Sequence, residues 1–153
     1  MLKSVPYIAA VAFLMGLSRK PEQLLAFAEL KAGDRVADFM PGNGYFTRIM
    51  SDVVGAKGHV YAFLPKEQLA NCAPSEVAGS KALERDPSYV NVSVLSAATA
   101  NFNLTSLDVI WTAQNYHDLH DSFMGPANCS RAESSLLQGT QAWRDLLGYR
   151  SRR

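Results

Sequence analysis

The chain has no surplus charge, few cysteines, no long apolar span and no repeats, and each of these absences removes a class of protein. Its 153 residues carry a formal net charge of only +1. Phosphate binding at scale needs a clustered basic face, so nothing here indicates a nucleic-acid partner. The short basic end, Arg150 to Arg153, reads as solvated. Two cysteines, Cys72 and Cys129, are too few for a disulfide framework and read as reduced thiols. Two histidines, His117 and His120, stand near Asp118 and Asp121; as metal ligands they are an alternative reading that such short spacing supports weakly. The working expectation is no metal. Internal repeats and low-complexity tracts are also missing, which excludes solenoids and disordered linkers.

The most apolar stretch follows Lys3 and reads VPYIAAVAFLMGL. It is shorter than the ~20 residues that cross a bilayer. It also lacks a small-x-small cleavage site, and Ser18-Arg19-Lys20 makes a poor mature start. The reading adopted is an apolar N-terminal segment, residues 1–18, forming a helix that covers one face of the domain. A cytoplasmic location follows from that reading, with export to the periplasm as the alternative.

What is present is a chain of about one domain's length with 48% hydrophobic residues. Pro21 opens an amphipathic helix through Leu30 that stops at Gly33. Val36 to Met40 is a strand. Pro41 to Gly44 is a tight turn, and Phe46, Ile49, Met50 and Val53 recur at helical spacing up to a stop at Gly55. A second strand runs from His59 to Leu64. A weaker helical region from Lys66 to Arg85 is interrupted by Pro74 and Gly79. Tyr89 to Leu95 is a third strand, Ser96 to Ser106 a loop, and Leu107 to Thr112 a fourth strand. Strands alternating with helical connections predict an α/β fold, a Rossmann-like parallel sheet wound right-handed.

In such a sheet ligands bind beyond the carboxyl ends of the strands. That edge collects Pro41 to Gly44, Leu64, Ser96 and the Asn115 to Asp118 segment. Asp38 ends the first strand and can accept from the turn or from a ligand's ammonium group. Gly42 and Gly44 lack a Cβ, so backbone there can approach a ligand or take positive φ. A nicotinamide-dependent oxidoreductase would use a similar turn, but G-x-G-x-x-G and an acid after the second strand are both missing.

Three blocks, RKPEQLLAFAELKAGDRVADFMPGNGYFTRI, GHVYAF and LDVIWTAQNYHDLHD, resemble class I S-adenosylmethionine-dependent methyltransferases, and within them a bacterial family of predicted methyltransferases. The resemblance spans most of residues 19–125. It implies a partial methyltransferase domain over 19–127, with S-adenosylmethionine as cofactor and an unidentified methyl acceptor. It assigns cofactor contacts to Asp38, Pro41, Gly42, Asn43, Gly44 and Asn115, and a place facing the transferred methyl to His117 and Asp118. His117 would be a general base that Asp118 orients. Trp111 and Tyr116 offer rings to an adenine, although Trp111 sits in an apolar strand and is read as core.

Two positions depart from the family pattern. Met40 stands where relatives have the first loop glycine, and Leu64 where the second strand ends in the acid that takes the ribose hydroxyls. Lys66 or Glu67 is the available substitute. The tail, residues 128–153, shows no strand. A back-translation of Leu137 to Arg153 read one base later yields FKALKPGGTYLVIDHA, a family-like turn and strand. The expectation is therefore a frameshifted tail, missing C-terminal strands and an uncovered sheet edge that permits self-association. A non-catalytic remnant acting as a binding module is the alternative function.

Overall fold

The computed structural model describes residues 8–11, 24–26, 28–113 and 115–124. Its centre is a five-stranded sheet: β1 (Ile8–Val11), β2 (Arg35–Phe39), β3 (His59–Pro65), β4 (Val92–Ala97) and β5 (Val109–Ala113), in the order β1-β5-β2-β3-β4. Every pairing is parallel. The strand order reverses at β2, because β3 and β4 extend the sheet on one side of it and the chain then crosses back to place β5 on the other. The loop after β2 therefore stands at a topological switch point, the place where an open parallel sheet leaves a crevice.

Helices α1 (Tyr45–Val54), α2 (Lys66–Leu69) and α3 (Pro74–Leu83) connect β2 to β3 and β3 to β4. Alternation along the strands divides the core into two faces. Val36, Met50, Val54, Val60, Leu83, Val92, Val109 and Trp111 pack on one side together with Leu25 and Ala28. Phe39, Met40, Phe63, Phe102, Ile110, Leu119 and Met124 pack on the other. There Phe39 stacks on Phe63 with centroids 5.4 Å apart, and Phe102 meets Phe63 edge-on at 5.0 Å. Such offset and edge-on pairs add to the burial term.

Several sequence expectations are corrected. Within the N-terminal apolar run, Ile8–Val11 is a strand rather than part of a covering helix, and it pairs with β5 from Ile8↔Ile110 to Val11↔Ala113. That pairing also covers the β5 edge expected to lie open. Hydrophobicity without a period does not distinguish a short strand from a helix, and here a partner far along the chain decides. The helical region from Lys66 is interrupted before Pro74, which opens α3 after α2 ends at Leu69, but Gly79 does not interrupt it and lies inside α3. The third strand starts later and runs further than expected. Asp86 accepts from the Ser88 N–H at 2.9 Å, holding Pro87–Tyr89 in a 3-10 turn, while pairing with β3 extends to Pro65↔Ala97.

The helix expected over Pro21 to Leu30 is described in part. Residues 24–26 are helical, and bonds such as Ala28 N–H to the Leu24 carbonyl carry the turn onward. Cys72 carries a free thiol. Among the described residues no helix is long and apolar enough to cross a membrane. The tail expected to be out of frame, with Cys129 and the boundary at residue 127, lies outside the described residues.

Candidate functional site

The site grows from the end of β2. Asp38 is 3% exposed, on the same face as α1. The Thr47 hydroxyl, one turn into α1, donates to its carboxyl Oδ2 at 2.6 Å. Burial removes the water that would stabilise the ionised form and pushes the carboxyl up to about 7, although the Thr47 hydrogen bond opposes this. The acid that ends the strand thus sits near half-ionisation at neutral pH, under the loop that follows.

That loop makes its first turn at Met40, with φ 62°. The left-handed region costs a residue with a Cβ roughly 1–2 kcal/mol. Three contacts hold Met40 there: its side chain is 1% exposed in the core, its N–H donates to the Phe63 carbonyl at 3.0 Å, and its carbonyl accepts from Asn115 Nδ2 at 2.6 Å. A methionine thus makes the turn a glycine would make without strain. Asn115 arrives from beyond β5, so this bond ties the two carboxyl-edge segments together.

After Pro41 the Gly44 N–H closes back on the Pro41 carbonyl at 2.9 Å. Gly42 has φ 55°, and a Cβ there would meet nothing within 4 Å. Its backbone therefore lies open to a ligand, and positive φ is what requires glycine. Gly44, at φ 75°, caps α1 in the left-handed conformation.

The loop is also fixed from the side by α3. Asn43 Oδ1 accepts the Gly79 N–H at 2.9 Å, the Ser80 hydroxyl donates to the Gly42 carbonyl at 2.7 Å, and Arg48 donates to the carbonyls of Asn43, Gly44 and Gly79. Asn43, a candidate for ligand contact, spends its side-chain oxygen on this clamp. Gly79, which looked like a helix breaker, is glycine because its hydrogen atom faces the Asn43 carbonyl. A Cβ would stand 2.5 Å from that oxygen. Gly79→Ala is expected to destabilise the chain by about 1–3 kcal/mol despite alanine's better helix propensity, since backbone has to move. Urea denaturation of the two proteins measures it, and equal or greater stability of the variant would contradict the clamp.

At the neighbouring strand ends, Leu64 is 1% exposed and carries no acid. Glu67, in α2, instead accepts from Thr99 beyond β4. On the other side of the switch point, Tyr116–His120 forms a 3-10 turn. His117 Nε2 lies 2.9 Å from Asp118 Oδ1, with His117 78% exposed. Desolvation raises the Asp118 carboxyl above its usual range, the charge of His117 opposes this, and Asp121 adds to it. The pair reaches the loop through Asn115, whose carbonyl accepts the Asp118 N–H at 3.1 Å. Among the described residues no three His, Cys, Asp or Glu side chains converge as a ligand set, His117, Asp118, His120 and Asp121 included. Trp111 is fully buried and packs on Phe46 at 5.0 Å, as a core ring.

The structure therefore ties Asn115 to the loop through the Met40 carbonyl, holds Asp38 on Thr47 at the end of β2, and sets His117 beside Asp118 at the same edge. Sequence reasoning missed Thr47, Arg48, Gly79 and Ser80. Thr47 and Arg48 were available as polar residues in the first turn of α1, but nothing local indicated which groups they would reach.

No protein-family model matches the chain. In sequence it is similar to two archaeal proteins named protein-L-isoaspartate O-methyltransferase. That of Ignicoccus hospitalis is 40% identical over 68 residues, and that of Methanosarcina mazei 36% identical over 67. Each match takes in 44% of this chain but only 29% and 25% of the relative, so the chain spans less than a third of these proteins. In structure it is similar to a SAM-dependent methyltransferase from Aquifex aeolicus, with TM-score 0.61 and 25% identity, covering 79% of this chain and 58% of the other. The bacterial restriction expected from the sequence is not supported, since the relatives include archaeal proteins. The chain is built on the Rossmann-like fold of class I methyltransferases, and its relatives in sequence and structure carry methyltransferase names.

Proposed function

We propose that this chain is the cofactor-binding part of an S-adenosylmethionine-dependent methyltransferase that transfers a methyl group to an unidentified nucleophile. The observation that supports this most is the Met40 to Gly44 loop. It turns through left-handed conformations directly over a buried acid, is fixed by Asn115 and α3, and leaves Gly42 open. These residues fit a ligand with a cationic amino-acid end. Asp38, poised near neutrality, gains a partner on ionising, and the backbone at Gly42 admits close approach.

When bound, the cofactor supplies an electrophilic methyl on a sulfonium. The chain's own contribution is positional. The loop and Asn115 fix where the cofactor's amino-acid end rests, and the acceptor has to be held in line with the methyl, which is worth several kcal/mol of barrier. His117 is exposed to an incoming acceptor and is oriented by Asp118 through Nε2, which leaves Nδ1 as the nitrogen suited to removing the acceptor's proton. The test is calorimetric titration with S-adenosylhomocysteine, the demethylated product. Micromolar to sub-millimolar binding is expected, and no heat at millimolar ligand would refute the reading.

A second reading, a non-catalytic methyltransferase remnant serving as a binding module, is favoured by Leu64, which removes the usual ribose carboxylate. Cooperative melting without any cofactor binding would favour it.

A further inference from the structure

We propose that Glu67 receives the ribose hydroxyls of the bound cofactor, in place of the acid that this fold commonly carries at the end of the second strand of its nucleotide-binding unit. The inference rests on the function proposed above. The ordinary position is occupied by Leu64, buried in the core and unable to accept a hydrogen bond. β3 continues only to Pro65, and the chain then turns directly into α2, so Glu67 is the first carboxylate after the strand.

The carboxylate is held in place. The Thr99 N–H lies 3.1 Å from each of its oxygens, and the Thr99 hydroxyl donates to Oε2 at 3.2 Å. Thr99 is fully buried, two residues beyond the end of β4. The group therefore spans the carboxyl tips of two adjacent strands, the edge at which such sheets bind ligands. A carboxylate offers about four lone-pair sites, and one N–H and one O–H do not fill them. A vicinal diol brings two more donors at matching separation.

A second unused acceptor follows in the same helix. The next residue, Gln68, has a buried side-chain oxygen with no hydrogen-bond partner among the described residues. A buried acceptor left without a donor costs about 1–3 kcal/mol.

A purely structural Glu67 would join α2 to the β4 end and do nothing else, and discrimination between ligands separates the two roles. Dissociation constants for S-adenosylhomocysteine and its 2′-deoxy and 3′-deoxy analogues are measured by calorimetry for the natural chain, Glu67→Gln and Glu67→Asp, with a melting curve for each. The natural chain is expected to prefer the intact diol by about tenfold or more, the worth of a hydrogen bond to a charged group. Glu67→Gln should lose most of that preference, binding the intact product about tenfold more weakly and the deoxy analogues nearly as before. Should Glu67→Gln not melt cooperatively, Glu67→Asp, which retains the charge one methylene further back, should show a reduced preference. Unchanged preference in a folded variant overturns the assignment of Glu67 and leaves the methyltransferase reading standing. Failure of the natural chain to bind S-adenosylhomocysteine overturns both.

Discussion

Between pH 4 and pH 8 the folded chain is expected to lose up to about 4 kcal/mol of stability that the Asp38→Asn variant does not lose. Asp38 titrates from an ordinary value of 3.8 when unfolded to about 7 when folded. Because the folded value is the higher one, the native state holds its proton more tightly. The stabilisation is complete below about pH 4, declines as the unfolded chain ionises, and is gone once pH passes about 7. Asparagine fits the same space and keeps an oxygen for the Thr47 hydroxyl, but it has no proton to release. Urea denaturation of both proteins across this range isolates the residue from the chain's other carboxylates, which titrate in both. A constant stability difference from acid to neutral pH would show that Asp38 titrates alike in the folded and unfolded chain.

Trp111→Ala is expected to be the most destabilising of the single substitutions considered, at about 3–5 kcal/mol, and Trp111→Phe to cost far less. The indole is fully buried in β5, between β1 and β2, and packs on Phe46 of α1. Alanine would open a cavity where strand and helix meet. Phenylalanine fills most of it. The indole N–H is also buried without a partner among the described residues. Replacing it with carbon relieves a cost of about 1–3 kcal/mol, which offsets much of the lost volume. The two variants should therefore differ by at least about 2 kcal/mol in chemical denaturation, on those same two terms. Equal losses would mean that the nitrogen finds a partner or that the cavity collapses.

Strands β2 to β5 were legible because their signals are local, whereas β1 read as helix. Val36 to Phe39 and His59 to Phe63 are mostly apolar, with β-branched and aromatic residues, and the turns between them carry Gly and Pro. The candidate site was legible only as a set of positions. That Asp38, Gly42 and Asn115 share one edge follows from parallel topology. That Asn115 holds the Met40 carbonyl, that Asn43 serves α3 and that Glu67 is held by Thr99 depend on side chains 75, 36 and 32 residues apart. Gly79 shows the limit most directly. A glycine in a helical stretch reads as a weakness, and only the third dimension shows the carbonyl it makes room for. Met40 is the converse case, a residue whose type argues against the backbone it adopts, held there by contacts that no window of sequence contains.

The placement of β1 bears on the order in which the molecule assembles. β2 and β3 are joined by a single short helix, so their pairing closes a small loop and can form early. β1 meets β5 from the opposite end of the described chain, with Ile8 beside Ile110. Chain entropy rises only slowly with loop length, but such a contact brings its reward after nearly everything between has been ordered. With four residue pairs it also returns little. β1 is therefore expected to join the sheet late and to leave it early, exposing the edge of β5, which faster amide exchange in β1 than in β2 and β3 would show.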